Sequence, residues 1–365
     1  MTDLLYSEVE EDLRATVRSL LAARSSGARV LSRIESADTT DVGLWRALAI
    51  DLGLAALIIP EKLGGAGASY REAAVVLEEL GRSVAPVPFL GSAVVATTAA
   101  LACDGTDDLV GALARAERTA ALAVPFAAWG SPLPTVIADV DSSLVGTVTS
   151  VADALTADTL LVPTGRGLFV VDAAAAEVTR TPVTSLDMTR QLADITFTGA
   201  PGRSIADPAT SAAAVTRALT VGAALLASEQ YGVASWCLDE TVDYMKTRYQ
   251  FGRQIGSFQA LKHRIADVWV DVTQSRAVAR YAADCAATDD PDLAVAASVA
   301  QAFNSGMAVR TAEECLQLHG GIGFTWEHPI HLYLKRAKST SIAFGTAAAH
   351  RATLGDLINV PPPTA

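Results

Sequence analysis

This 365-residue sequence has few aromatic residues and little positive charge. Aromatic residues make up 6% of it, although half of the chain is apolar and alanine dominates. That composition favours helices packed through small side chains. The formal net charge is -12 and the isoelectric point is about 4.9, so non-specific binding to nucleic acid or to anionic lipid is not expected. The length allows one large domain or two to three smaller ones.

Metal and redox motifs are also missing. The four cysteines stand far apart, and no pair has the spacing of a metal or redox site, which favours a reduced, cytoplasmic protein. The five histidines include no H-E-x-x-H motif. His328 and His331 could share a helix face, but Pro329 lies between them. The motifs therefore predict no metal site.

Targeting and membrane signals are absent as well. The first twenty residues are acidic and amphipathic, unlike a signal peptide. The longest uncharged apolar stretch, near "ALTVGAALLAS", is too short to span a bilayer. We therefore expect a cytoplasmic protein with no membrane partner.

What is present changes in texture along the chain, and three domains are predicted. Residues 1–118 show helical spacing of apolar residues, and Gly81 with the prolines that follow it is expected to stop one helix. Residues 119–206 contain short runs rich in Val, Ile and Thr, with a hairpin turn at Gly165–Gly167, and predict an antiparallel β domain.

Residues 207–365 predict long helices. Asp207 and Pro208 fit the start of a helix that runs to about Thr247. A second helix is expected from about residue 258 to 287, a third ends at "LHGGIG", and a last one follows Pro329. Short connections favour an antiparallel four-helix bundle, so the predicted fold class is α+β.

Three long stretches resemble the acyl-CoA dehydrogenase family. They are "LGLAALIIPEKLGGAGAS", "RYQFGRQIGSFQALKHRIADVW" and "CLQLHGGIGFTWEHPIHLYLKRAK". Their order and spacing match that family across nearly the whole chain. The resemblance implies an N-terminal helical domain, a middle β domain and a C-terminal four-helix bundle. It also implies FAD as cofactor, an acyl-CoA substrate and reoxidation by an electron-transfer flavoprotein.

The second and third stretches, by this resemblance, bind the ADP half of FAD in the site of a neighbouring subunit. The arginine can fork onto a pyrophosphate, and the phenylalanine offers an apolar face to adenine. The glutamine amides can both donate and accept, and the glycines let backbone N–H groups approach closely. The implied cofactor-binding residues are Arg248, Phe251, Gln259, Gln317, Gly320 and Gly321.

The residues that the family uses for chemistry are missing here. The family needs a carboxylate to remove the α-proton of the acyl-CoA, and losing such a base typically costs roughly 10²–10⁴-fold in rate. Most members carry it as the Glu of "Y-E-G-T", where this chain has "AFGT" with Phe344. Another subset places it before an Arg on the first bundle helix, where this chain has Thr216 before Arg217. No catalytic residue is therefore predicted.

The middle segment departs from the family in the same direction. Family members carry "T-E-P-x-A-G-S-D" and later "W-I-T-N-G" near the flavin ring. This chain has "AVPFAAWGSP" and "GTVTSVADALTADT", without the Thr, Glu, Asp and Trp of those motifs. The ADP-binding residues thus persist while those around the ring, substrate and proton are lost.

This asymmetry resembles one subunit of the actinobacterial α2β2 acyl-CoA dehydrogenases of steroid side-chain breakdown. A homologous partner subunit would then carry the catalytic Glu and the ring pocket. Two alternatives stay open: a homomeric dehydrogenase with a relocated base, or a non-catalytic scaffold. The candidates for a relocated base are Glu229 and Glu240, with His350 a weaker one. Trp269 and Val270 are expected in the core rather than at a subunit surface.

Overall fold

The computed structural model describes residues 4–36, 38–130 and 134–359. In chain order, a helical segment is followed by a segment of strands and then by a second helical segment, as the sequence predicted. The helices are α1 Glu8–Arg24, α2 Gly27–Ile34, α3 Val42–Arg46, α4 Tyr70–Ser83, α5 Thr97–Leu101, α6 Asp107–Ala114, α7 Pro208–Thr247, α8 Gln259–Ala287, α9 Leu293–His319, α10 Ile330–Thr340 and α11 Ala347–Leu357. The strands are β1 Ala120–Leu122, β2 Val136–Ala138, β3 Ser143–Ala152, β4 Thr159–Thr164, β5 Gly167–Asp172, β6 Val178–Val183, β7 Leu192–Ala206, β8 Tyr249–Gln250 and β9 Arg253–Gln254.

The chain forms two compact units, each built from separate stretches of sequence. The sheet unit consists of Arg33–Ala73 and Pro86–Gly222. The bundle unit consists of Met1–Ser32, Ala74–Ala85 and Ala223–Ala365. The domain boundaries at residues 119 and 207 coincide with the change from helix to strand and back. These boundaries remain predictions, because the two compact units are not divided at residues 119 and 207.

Strands β1 to β7 build one sheet whose pairings close into a circuit. Most pairs are antiparallel, as predicted, but β4 is parallel to both β1 and β2. The predicted hairpin is confirmed: Thr164 pairs with Gly167 across a two-residue turn between β4 and β5. The long strand β7 pairs with β3 along its first part and with β5 along its last. Alternating residues of β7, including Ile195 and Phe197, are buried in the core of this sheet.

The long helices begin and end close to the residues that the helix start and stop signals in the sequence predicted. The backbone N–H of Thr210 donates to the Asp207 carboxylate at 2.7 Å, so Asp207 does cap α7. Helices α8 and α9 are antiparallel. Arg264, near the start of α8, pairs with Glu314, near the end of α9, at 2.7 Å, and a contact between Asp271 and Arg310 follows further along.

Glycines allow α4 and α7 to approach closely in the bundle unit. The sequence suggested that Gly81 stops a helix, but α4 continues past it to Ser83. A Cβ on Gly81 would lie 2.2 Å from the carbonyl oxygen of Glu229, and one on Gly232 would lie 2.0 Å from that of Glu78. Only glycine fits at these two positions without moving a backbone.

Helix α7 is the one described helix that is long and apolar enough to cross a bilayer by length and composition. However, 61% of its most apolar 18-residue window is buried within the protein. Burial of that kind is typical of a core helix rather than of a lipid-facing one.

Candidate functional site

The two predicted cofactor-binding stretches lie at the same end of the bundle unit. The first joins α7 to α8 through the β8–β9 hairpin, and the second follows α9. Because α8 and α9 are antiparallel, the start of α8 is level with the end of α9. The end of α7 is there too, since the rings of Tyr244 and His319 stack with centroids 4.6 Å apart. The fold thus brings together residues that are far apart in sequence.

Arg248 has a fixed backbone and an exposed side chain. Its N–H donates to the carbonyl of Tyr244, and its own carbonyl accepts from the N–H of Ile255, both at 2.9 Å. Among the described residues, no side chain or carbonyl pairs with its guanidinium, which is exposed. A fixed backbone and an unpaired fork of donors suit a phosphate ligand.

Phe251 occupies an unfavourable position for an apolar side chain. It is 91% exposed, and its φ of +53° lies in the left-handed region. With Gly252, also at positive φ, it forms the two-residue turn between β8 and β9. Such turns favour Asn, Asp or Gly at this place, so a phenylalanine here is strained. Strain of this kind clusters at binding sites, where a ligand or partner covers the residue.

The remaining predicted residues are also exposed, although Nε2 of Gln259 lies 3.5 Å from Nε2 of His263 and the N–H of Gly320 donates to the carbonyl of Gln317. Gln259, the first residue of α8, and Gln317, near the end of α9, are both exposed. Gly320 has φ +63° and ψ -141°, a conformation that in practice only glycine adopts. A Cβ on Gly320 or Gly321 would meet nothing within 4 Å, so the backbone there is open to a ligand. This donor set fits the anionic, hydrogen-bonding half of a dinucleotide such as FAD.

The positions where the family carries its base hold no acid here. Phe344 is 4% exposed, and its carbonyl accepts a 2.8 Å hydrogen bond from Nε2 of the buried His350. Burial lowers the pKa of His350, which keeps the ring neutral. Thr216, at the other position, is exposed on α7. The His350 imidazole therefore supports the "AFGT" connection.

Glu229 is part of a buried ion pair. Its Oε1 lies 2.9 Å from Nη1 of Arg336, and both side chains are 1% exposed. A carboxylate that neutralises a buried guanidinium is a poor proton acceptor, because protonation would leave the arginine unpaired. This arrangement supports a bracing role.

Glu240 faces a histidine. Its Oε1 is 3.6 Å from Nε2 of His328, and His319 packs beside them. No motif points to this cluster, because its members come from α7, the end of α9 and the segment before α10.

Both buried carboxylates in the described part of the sheet unit are engaged in loop contacts. Asp153 accepts from the N–H of Gly91 at 3.1 Å. Asp187 accepts from the N–H of Thr189 at 2.9 Å. Both carboxylates therefore already accept hydrogen bonds from the backbone of this chain.

Trp269 and Val270 were expected in the core, and this was wrong. Both lie on α8, with exposed fractions of 59% and 44%. This adjacent tryptophan and valine therefore expose apolar surface on the helix instead of packing into the core of the bundle unit.

Comparison with known proteins gives a consistent result. Residues 212–358 match the family model described as "Acyl-CoA dehydrogenase, C-terminal domain", and residues 7–110 match "Acyl-CoA dehydrogenase, N-terminal domain". The chain is 39% identical over 343 residues to the acyl-CoA dehydrogenase IpdE2 of Mycolicibacterium smegmatis, covering 93% of this chain and 95% of that protein.

Two similar solved structures contain two differently named proteins. The first is the ChsE4-ChsE5 complex from Mycobacterium tuberculosis, with a TM-score of 0.87, 27% identity and coverage of 99% of this chain and 100% of that one. The second is a variant of the Tcur3481-Tcur3483 steroid ACAD, with a TM-score of 0.85, 32% identity and coverage of 96% and 98%.

Proposed function

This chain belongs to the acyl-CoA dehydrogenase family, and from that premise we propose that it is one subunit of a heteromeric, FAD-dependent member. It contributes the ADP-binding half of a shared FAD site. A homologous partner subunit contributes the catalytic Glu and the pocket for the flavin ring. The observation that carries this proposal is the contrast between an exposed, unpaired Arg248 and a buried Phe344 where the base would stand.

The residues of this chain act in binding. The Arg248 guanidinium pairs with the pyrophosphate, and Phe251 packs against the adenine end. Gln259 and Gln317 hydrogen-bond the ribose or phosphate oxygens, and the open backbone at Gly320 and Gly321 leaves room for the cofactor to approach closely. FAD, when bound, supplies the acceptor for the hydride that leaves the β-carbon of the acyl-CoA. Abstraction of the α-proton falls to the partner's carboxylate.

Support for a partner comes from two independent directions. The similar structures named above are a complex of two proteins and a steroid ACAD made of two proteins. In this chain, Trp269 and Val270 expose apolar surface on α8. A FAD shared between subunits needs a stable interface, and an exposed helix face of the bundle unit offers one. The stoichiometry proposed is α2β2.

The substrate proposed is a CoA thioester, with a steroid side chain as the acyl group suggested by the steroid ACAD. The family also implies electron transfer to an electron-transfer flavoprotein, and the spacing of the cysteines favours a cytoplasmic location. A non-catalytic scaffold would have no use for a retained set of exposed cofactor-binding residues.

The test is to purify the chain alone and together with the homologous product of a neighbouring gene. We expect the co-purified complex to hold one FAD for every two chains and to oxidise an acyl-CoA. We expect the lone chain to hold little FAD and to lack turnover. A lone chain that is yellow and turns over an acyl-CoA at an ordinary rate would overturn the proposal.

A relocated base is tested in the same assay. Glu229→Gln and Glu240→Gln are made in the complex, with His350→Gln alongside. The proposal expects no loss of turnover beyond what altered folding explains, since none of these groups takes the proton. A loss of roughly 10²-fold or more in one variant, with unchanged circular dichroism and FAD content, would favour a base in this chain.

A further inference from the structure

Three side chains from three parts of the bundle unit meet at the end of the bundle. Glu240 lies on α7, His319 ends α9 and His328 precedes α10. One potential ligand atom from each lies within 4.8 Å of those of the other two. We propose that Glu240, His319 and His328 bind a divalent transition-metal ion of the Zn²⁺ class.

His319 supplies the independent evidence for a ligand. The residue is 2% exposed, and its Nδ1 lies 2.7 Å from the carbonyl oxygen of Cys315. A carbonyl can only accept, so Nδ1 carries the proton and Nε2 bears the free lone pair. That Nε2 is buried and has no hydrogen-bond partner among the described residues. A histidine held by a backbone carbonyl at one nitrogen, with the other unpaired, is the usual arrangement of a metal ligand.

His328 and Glu240 complete the set and give the ion a way in. Their side chains are 13% and 43% exposed. The N–H of Ile330 donates to Nδ1 of His328 over a long 3.3 Å, which places the ring proton on Nε2, facing Glu240. Binding at Nε2 moves that proton to Nδ1 through solvent and gives up the Ile330 contact. The ion replaces the proton between the imidazole and the carboxylate.

The ligand types and spacing suit zinc. Two imidazoles and one carboxylate, with the fourth position open to water, form a common zinc set. Tetrahedral bonds of about 2.0–2.1 Å place neighbouring ligand atoms about 3.3 Å apart. The observed 3.6 Å between Glu240 Oε1 and His328 Nε2 is close to that value. Rotation of the partly exposed Glu240 side chain can close the remaining distance to His319.

A bound ion would tie α7, the end of α9 and the start of α10 together. It would also fix the residue that directly precedes Gly320. The site uses none of the proposed FAD contacts, so it can be tested whether or not the proposed function holds.

The experiment titrates the purified full chain with Zn²⁺ after chelator treatment and measures bound metal by mass spectrometry after dialysis. We expect one Zn²⁺ per chain, and with Co²⁺ as a probe the visible bands of a four-coordinate ion. Loss of an outer-shell partner alone costs 10–100-fold in affinity, so Glu240→Gln and His319→Gln should each weaken binding by at least about 100-fold.

His331→Gln is the matched control. Both nitrogens of His331 also lack partners in the described chain, and it lies three residues beyond His328, but it is outside the cluster. It should leave the Zn²⁺ affinity unchanged. Glu240→Gln changes a partly exposed side chain, so its fold, checked by circular dichroism, should be preserved. Equal Zn²⁺ binding by the parent chain and both ligand variants, or no stoichiometric Zn²⁺, would mean a hydrogen-bonded Glu–His pair only and would overturn the proposal. Loss of binding in His331→Gln would do the same for this ligand set.

Discussion

Two connections of the bundle unit each hold a phenylalanine in the left-handed conformation. Phe251, between α7 and α8, has a φ of +53°, and Phe344, between α10 and α11, has a φ of +51°. Their surroundings are opposite, since Phe251 is 91% exposed and Phe344 is 4% exposed. Similar backbone strain is therefore compensated inside the chain at one site and left uncompensated at the other.

The difference shows which connection is complete. At Phe344, burial of the ring and the hydrogen bond from His350 to the carbonyl offset the backbone strain. At Phe251 the only described ring contact is an edge-on one with Phe258, whose centroid is 6.2 Å away. A residue that is both strained and exposed points to a covering group from outside the chain. The connection that holds Phe344 is therefore stabilised by contacts within this chain. The connection that holds Phe251, near Arg248, lacks such contacts.

The largest expected effect is on the buried side of the comparison. Phe344→Ala removes a buried ring and should lower the free energy of unfolding by about 3–5 kcal/mol. Urea unfolding of the purified protein, followed by circular dichroism, measures this loss. Phe344→Leu is the control and should cost clearly less, about 1.5 kcal/mol, because most of the volume is kept. If both variants were as stable as the parent chain, Phe344 would not be a structural replacement for the base.

The next effect concerns the exposed side and is seen in binding. Arg248→Ala removes a charged donor from the proposed pyrophosphate contact, and such bonds contribute about 1.5–3 kcal/mol. We expect FAD affinity of the co-purified complex to fall roughly 10–100-fold, measured by flavin release on dilution.

Arg253→Ala is the control for Arg248, because it changes the same charge in the same hairpin. Its guanidinium already lies 3.9 Å from the ring centroid of Phe258. FAD affinity should change little in this variant. An equal loss in both variants would mean that FAD responds to the net charge of the hairpin, and that Arg248 makes no specific contact.

The sequence was sufficient to predict elements whose ends are marked by local capping or turn residues. Helix α9 ends at His319, directly before the Gly-Gly pair, and α7 begins at Pro208 behind its Asp207 cap. The hairpin between β4 and β5 was predictable because Gly165 lies in its two-residue turn and Gly167 follows the turn directly. Local chemistry determined all three.

What the sequence could not reveal depended on tertiary neighbours. Strand β6 has no clear strand pattern of its own, because it lies at an edge, where Pro182 is tolerated and alternation is weak. Gly81 was misread as a helix stop, since its role is the approach of α7. The cluster of Glu240, His319 and His328 has no motif, because the fold alone brings its members together. The exposure of Phe251 likewise could not be read from the sequence.

Acid should weaken the buried connection. Burial lowers the pKa of His350 below its ordinary value of about 6.5. The unfolded chain therefore binds a proton that the folded chain does not, and stability falls as the pH drops from about 6.5 through the folded-state pKa. Above pH 6.5 this contribution is fully present. His350→Gln should flatten the acid limb of a stability-versus-pH curve measured with a chelator present. An unchanged acid limb would assign the dependence to other groups.

The smallest expected effect is a gain in stability at the exposed connection. Phe251→Asn creates Asn-Gly, the sequence that a two-residue hairpin of this kind prefers. Relief of left-handed strain should raise the free energy of unfolding by about 0.5–1 kcal/mol, since little burial is lost from a side chain that is 91% exposed. Urea unfolding of the chain on its own measures this gain.

The same variant should bind FAD more weakly in the complex, because the apolar face for adenine is gone. Opposite signs in the two measurements would show that Phe251 is kept for binding at the expense of stability. A loss of stability in the isolated chain would instead mean that Phe251 is supported from within, and the contrast with Phe344 would disappear.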